Sequence, residues 1–241
     1  MPDVKLRTRS ILRRDFDDAL MGRLHAFANR LLTEEPSHFR VHAETNEVVH
    51  IFERTDTGEI VGFQFWRTGP IDRPRSRTII GGKLRVDPAF RNRGLHLGSG
   101  LRFYLECQLR APTTRFYRLS LASIFGFVSL ASALPEYQIL DPHAADEDGR
   151  AVWAAFARTA EENHYRLDAA TGLIFVDIRP TPEVLAQFPP AYFSRPEARA
   201  YARANPSWRE NGCYVAFWFR FTPRNLARLA HTIWRKRRAS R

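Results

Sequence analysis

The run from Gly81 to Leu105, GGKLRVDPAFRNRGLHLGSGLRFYL, constrains this fold more than any other stretch of the chain. It reads as a strand ending at Val86-Asp87-Pro88, then an arginine-rich turn, then a helix beginning near Leu95. Arg91, Arg93 and Gly94 sit at the helix start, where backbone N–H groups lack intrahelical partners. Those donors, with the positive end of the helix dipole, suit an anion and most naturally a phosphate. Two arginines beside them add charge-assisted contacts of about 1.5–3 kcal/mol each. The other reading is a tight strand-to-helix turn whose arginines face water.

The glycine spacing excludes two other phosphate motifs. Gly94, Gly98 and Gly100 run G-x-x-x-G-x-G, not the G-x-G-x-x-G of a dinucleotide fold, and no Gly-Lys-Ser/Thr follows. Gly81-Gly82, inside the strand before the turn, marks a bulge or a close backbone approach; a weak strand is the alternative. Upstream, Val48–Arg54 and Ile60–Trp66 are β-rich runs joined by the turn Thr55-Asp56-Thr57-Gly58. Alternation places Val61, Phe63 and Phe65 on one face, with Gly62, Gln64 and Trp66 on the other. A third strand spans Arg77–Val86. Phe16, Leu20, Leu24, Phe27 and Leu31 recur at helical spacing, and an N-terminal strand is expected around Val4–Leu12.

These residues resemble the GCN5-related N-acetyltransferase family, whose acetyl-CoA signature is Arg/Gln-x-x-Gly-x-Gly/Ala after a strand ending Val-x-Pro. Val86-Asp87-Pro88 supplies the lead-in and Arg91-Asn92-Arg93-Gly94-Leu95 the first five signature positions. His96 stands where the family has Gly or Ala. The resemblance implies a mixed α/β fold: a mainly antiparallel central sheet with helices on both faces, splayed between its fourth and fifth strands. It also implies that Leu84, Arg85 and Val86 pair with the pantetheine arm. Arg91, Asn92, Arg93, Gly94, Leu95, His96 and Leu97 would then cradle the pyrophosphate. The pattern covers about residues 1–140, the specific residues only about 85–98.

Downstream, the motif helix should end before Pro112. Alternation over Tyr117–Ala122 predicts a strand, with a helix over about 125–134. Leu119–Pro135 carries no charge, yet its 17 residues fall short of the roughly 20 a membrane span needs. Beyond Asp141-Pro142 the expected elements are a helix over 150–166, strands over 172–178 and 213–221, and a short helix over 196–204. Thr222-Pro223 then caps a final helix over 223–238. Residues 1–143 are therefore read as an acyl-CoA-binding core. Residues 144–241 are an extension completing the same domain, the alternative being a small second domain.

Formal net charge is +11, but only three of the 37 basic residues are lysine, and the arginines are scattered until Arg235-Lys236-Arg237-Arg238. That tail is read as a solvated helix end, with nucleic acid or an anionic surface at 235–241 as the less favoured partner. Two cysteines give neither a disulfide framework nor a metal spacing, and no leader or anchor is visible. A soluble, cytoplasmic protein without a metal is expected.

Acyl transfer needs a neutral amine on the thioester carbonyl, a donor to the developing oxyanion and a proton for the leaving thiolate. The resemblance places the oxyanion donor in the backbone near Leu84. The family's acid is a tyrosine in the helix after the fifth strand, a position that falls near Ala131-Ser132, where this chain has none. Tyr137 and Ser123 are the candidates nearby, and Glu53 is the candidate base, with His50 and Glu59 beside it in the hairpin. At pH 7 a lysine-type amine costs about 4.6 kcal/mol to deprotonate, an α-amine about 1.1 kcal/mol. A weak base therefore favours a weakly basic acceptor in a small molecule or peptide. The expected activity is N-acetyl transfer from acetyl-CoA or another acyl-CoA. The rival is a non-catalytic CoA-binding or interaction module.

Overall fold

A computed structural model describes residues 4–31 and 35–239 of the 241-residue chain, with the His38 side chain outside that description. The chain divides into two compact units. One comprises Met1–Thr68, Ile79–Thr113 and Leu229–Arg241, the other Gly69–Thr78 and Thr114–Arg228.

The first unit is built on strands β1 (Leu6–Leu12), β2 (Val48–Arg54), β3 (Ile60–Pro70) and β4 (Ser76–Val86), neighbours in that order. β1–β2 and β2–β3 pair antiparallel. Helix α1 (Asp18–Asn29) starts where the Asp17 carboxylate accepts from the Leu20 amide at 2.6 Å, which satisfies one of the orphan donors. α1 and α2 (Pro36–Glu44) bury Leu20, Leu24, Phe27, Phe39 and Ala43 against Val49, Ile51, Phe63 and Phe65. Phe39 and Phe27 meet Phe63 edge-on at centroid distances of 6.0 and 5.9 Å, the geometry ring quadrupoles prefer. Helix α3 (Leu95–Arg110) contributes Leu97, Ser99, Phe103 and Tyr104 to the buried set.

The second unit contains β5 (Arg115–Ala122), α4 (Ile124–Ala131), β6 (Gln138–Ile139), α5 (Glu147–Glu162), β7 (Arg166–Leu167) and β8 (Leu173–Phe175). It continues through α6 (Pro182–Ala186), α7 (Pro190–Phe193), α8 (Pro196–Ala204) and β9 (Cys213–Arg220). Its strands run β5-β9-β8-β7, with β6 also on β9, all antiparallel. Phe127 of α4 packs edge-on against Phe217 and Tyr201, at 4.8 and 5.4 Å. The last helix, α9 (Pro223–Ala239), begins with the predicted cap: the Asn225 amide donates to Thr222 Oγ1 at 3.3 Å. The class is mixed α/β with a mainly antiparallel sheet, as the sequence implies.

Three expectations change. The 172–178 strand shrinks to Leu173–Phe175, because Asp177 turns to φ +55° and the Val176 and Asp177 amides both donate to the Gly212 carbonyl. The short elements α2, α6, α7 and β6 were not expected. The third change is in the hairpin, where Phe52 opposes Gly62 but Glu53 opposes Ile60, so Val61 is an extra residue on β3. It leaves the Phe63–Phe65 face to join Phe52 and Phe90, while Ile60 takes its place beside Ile51.

Gly62 is set by this packing. A Cβ there would lie 2.7 Å from the Arg85 carbonyl oxygen and 3.0 Å from the Phe52 ring, whereas one at Gly22 in α1 would meet nothing within 4 Å. Gly62→Ala should cost about 1–3 kcal/mol in urea unfolding. Gly22→Ala should gain about 0.5–1 kcal/mol from helix propensity. Equal effects at the two positions would contradict this account of the hairpin.

Candidate functional site

The arginine-rich turn forms a compact strand-to-helix connection in the first unit. β4 stays against β3 to its end, with the Asp87 amide donating to the Val61 carbonyl at 2.9 Å. A single 3-10 turn, Pro88–Phe90, follows, capped by Asp87 accepting from the Ala89 amide. Asn92 and Gly94 then both enter the left-handed region, at φ +64° and +72°. Glycine pays no Cβ penalty there, and Asn tolerates it better than most residues. This double reversal aims α3 back from the strand end. Gly94 is the N-cap of α3 with no side-chain cap, and the first helical bond of the turn is Gly98 N–H to the Gly94 carbonyl.

The two arginines have different surroundings. Arg91 and Asn92 are exposed. Arg93 donates to the Val4 carbonyl at 3.2 Å, and its guanidinium lies 5.0 Å above the Phe90 ring, so it also fastens the turn. Leu97 is buried; Leu95 and His96 are half-buried.

The sequence gave no hint of what lies over this turn. A Cβ at Gly94 would be 3.3 Å from Lys236 Cδ and 3.9 Å from Ile233 Cα, and one at Gly98 would be 3.3 Å from Arg237 Nη2. The end of α9 therefore rests on the first turns of α3, and two motif glycines are the points of closest approach. Lys236 and Arg237 join Arg91 and Arg93 around one helix start.

On β4, Leu84 is 39% exposed, the Arg85 guanidinium donates to the Leu84 carbonyl at 3.2 Å, and Val86 packs beside Phe52 and Phe90. Asp87 bonds toward β3, so by strand alternation the Leu84 and Val86 backbone groups point to the other side. The Gly81-Gly82 signal corresponds to a close approach: a Cβ at Gly82 would lie 2.9 Å from His42 Nε2 of α2 and 3.5 Å from Asn46. Next to it, Lys83 sits at φ +37°, breaking the extended backbone.

The candidate catalytic side chains are dispersed. Glu53 is buried at 2% exposure and accepts from Arg7 Nε at 3.1 Å and Arg9 Nη2 at 3.0 Å, which ties β1 to β2. Ser123 is the N-cap residue of α4 in the second unit, and its side chain makes no cap bond. Tyr137, also in the second unit, borders a cavity of about 520 Å³ with Glu136, Asp148, Trp218, Arg220 and Asn225. Burial, with Glu197 next, pushes its phenol above the ordinary range, which keeps it protonated at neutral pH. Asp148 in that cavity is already engaged: Tyr117 donates to it at 2.9 Å and Arg73 Nε lies at 3.0 Å.

One polar cluster escaped sequence reasoning. His50, fully buried on β2, has Nδ1 at 2.8 Å from Ser99 Oγ of α3, and Trp66 Nε1 of β3 donates to the same oxygen at 2.7 Å. The trio holds the second turn of α3 to the sheet. Each hydrogen bond links residues at least 33 positions apart, so no local signal announces the cluster. Among the described residues, no group of His, Cys, Asp and Glu has the geometry of a metal site, and no helix is long and apolar enough to cross a membrane.

No protein-family model matches the sequence, and no curated protein matches it. Solved structures give partial likenesses. An acyl-CoA N-acyltransferase from Pseudomonas aeruginosa shares 12% identity over 56% less three points of this chain, that is 53%, and 86% of its own, at a TM-score of 0.38. Arabidopsis thaliana NAA60, in complex with acetyl-CoA, shares 12% over 56% and 89%, at 0.39. The NatC complex, bound to Gag peptide and CoA, shares 12% over 59% and 92%, at 0.41. The likeness is remote. At these identities and scores the reading of the site rests on the chain's own geometry.

Burial, outweighing the attraction of Glu106, lowers the His50 pKa from 6.5 to about 4. The folded state therefore resists protonating His50, whereas the unfolded chain takes the proton near 6.5. Stability from this group is complete above pH 6.5 and is lost as pH falls toward 4, by about 3 kcal/mol in all. Urea midpoints between pH 7 and 4 should show this loss, and His50→Gln should flatten it. An unchanged slope in the variant would contradict the assignment.

Proposed function

We propose that the chain is a CoA-dependent N-acyltransferase of the GCN5-related type, acting on a primary amine of a small molecule or peptide. The observation that carries the reading is the uncapped start of α3, set behind left-handed Asn92 and Gly94 and surrounded by arginine and lysine. Three free amides, at Leu95, His96 and Leu97, and the helix dipole suit a diphosphate. Exposed Arg91 supplies a cation that needs no rearrangement. The residues thus fit the diphosphate of an acyl-CoA, whose thioester would bring the acyl group. His96 occupies the signature's Gly/Ala position without closing the turn, since the left-handed residue is Gly94.

In this reading, Leu84 and Val86 offer backbone donors and acceptors on the side of β4 away from β3, as a further strand would need. The amine attacks directly, and an amide in this stretch donates to the oxygen that gains charge. A weakly basic amine suits a site whose nearest carboxylate, Glu53, already holds two guanidiniums. Tyr137 and Ser123 remain the proposed proton donors to the departing thiol. The acetyl group, as the simplest acyl chain, and a cytoplasmic setting belong to the same proposal. So does the division of the chain into a core of residues 1–143 and an extension of 144–241.

Glu53's engagement and the lack of a tyrosine on α4 favour a second reading, a CoA-binding module without turnover. Thiol release over a panel of amines separates the two. For either reading, calorimetry should show acetyl-CoA or CoA binding at micromolar Kd, about 8 kcal/mol. Arg91→Ala should weaken it by about 1.5–3 kcal/mol with no loss of thermal stability. Absence of binding to acetyl-CoA, CoA and longer acyl-CoAs would overturn both.

A further inference from the structure

Beyond the anion turn, α3 and α9 enclose an open cavity of about 620 Å³ lined by Leu101, Ala230, Ile233, Trp234, Arg237 and Arg238. Three observations bear on what it takes. First, Trp234 is 55% exposed, although the apolar face of α9 is otherwise turned inward, with Leu229 at 3% and Ile233 at 7%. A tryptophan left in water on the rim of a cavity offers a flat π-surface with no covering from its own fold. Second, two guanidiniums share the cavity with it. Arg238 lies 5.4 Å from the indole centroid, and Arg237 reaches to Gly98 of α3. Third, the cavity is continuous with the anion turn: Lys236 lies on Gly94, Arg237 on Gly98, and Leu101 follows one turn on. At 1.5 Å per residue, Leu101 is about 10 Å along α3 from Gly94.

Aromatic surface beside paired guanidiniums, one step from a diphosphate site, describes a pocket for a base carrying its own phosphate. We propose that this cavity binds the 3′-phosphoadenosine end of CoA, with the purine on Trp234 and the 3′-phosphate on Arg237 and Arg238. Leu101, Ala230 and Ile233 form the apolar floor beneath the base. The reading rests on the diphosphate site proposed above and adds a specificity to it: CoA itself rather than any diphosphate. It gives the basic end of α9 a ligand of one defined charge, whereas a polyanion would need cations spread along a surface.

The test compares CoA, dephospho-CoA and adenosine 3′,5′-bisphosphate by calorimetry on the full chain. The proteins are wild type, Arg91→Ala, Trp234→Ala and the double variant Arg237→Ala/Arg238→Ala. Wild type should prefer CoA over dephospho-CoA by about tenfold or more, the scale of one charge-assisted contact. The double variant should erase that preference, and Trp234→Ala should weaken CoA and the bisphosphate alike by about tenfold. Arg91→Ala should weaken CoA while leaving the bisphosphate within about threefold. The positions changed on α9 are exposed, so thermal melting should be unaltered and serves as the folding control.

CoA binding that depends on Arg91 but ignores the 3′-phosphate and Trp234 would overturn this inference and leave the acyltransferase reading intact. Bisphosphate binding that needs Trp234, with no gain from CoA and no effect of Arg91, would support the nucleotide pocket and remove the acyltransferase reading. If neither ligand binds, both fall. Self-association that Trp234→Ala abolishes, without nucleotide dependence, would assign the cavity to a second copy of the chain and overturn the proposal.

Discussion

The contact between α9 and the first turns of α3 is the constraint from which the candidate site follows. It exists because Gly94 and Gly98 present no side chain to the approaching helix. Lys236 and Arg237 then lie where an uncapped helix start already favours negative charge. Cations this near a positive dipole end raise the local potential rather than balance it. The arrangement is therefore electrostatically costly when empty, and an anion would relieve it. Side chains drawn from opposite ends of the sequence share that single space.

Much of the fold was legible because it is written locally. β2 matches its expected span to the residue, as does α8, and the Thr222 cap fixes where α9 begins. Asp17 and Asp146 do the same for α1 and α5. The anion turn was legible for the same reason: Asn92, Arg93 and Gly94 are consecutive, and their conformations follow from their own side chains. What escaped depends on distant partners. Glu53 looks like a base until Arg7 and Arg9, more than 40 residues away, are seen to hold it. The two glycines of α3 looked like phosphate-loop residues, and only the fold shows that they also receive a helix. The short α2, ending at Glu44, buries Phe39 and Ala43 but is too brief to show a periodic stripe.

Polar groups buried in the first unit act as registers. Glu53, held by two guanidiniums, fixes β1 on β2, since sliding β1 by one residue would present the arginines to the wrong face. Such an ion pair is weak evidence for stability but strong against alternatives to its own geometry. The His50–Ser99–Trp66 cluster acts likewise between the sheet and α3, and it thereby sets the angle at which the anion turn leaves the strand. Both devices place the site without touching it.

The extra residue at Val61 has a different kind of consequence. Because Ile60 and Val61 serve opposite faces through a count that is odd by one, the hairpin depends on number more than on chemistry. An alanine or isoleucine at 61 would keep every neighbour on its proper side. Deleting any one residue between the bulge and the turn would restore regular pairing and expel Ile60 from the core. Across diverging copies of such a gene, this hairpin should accumulate substitutions freely while its length stays fixed.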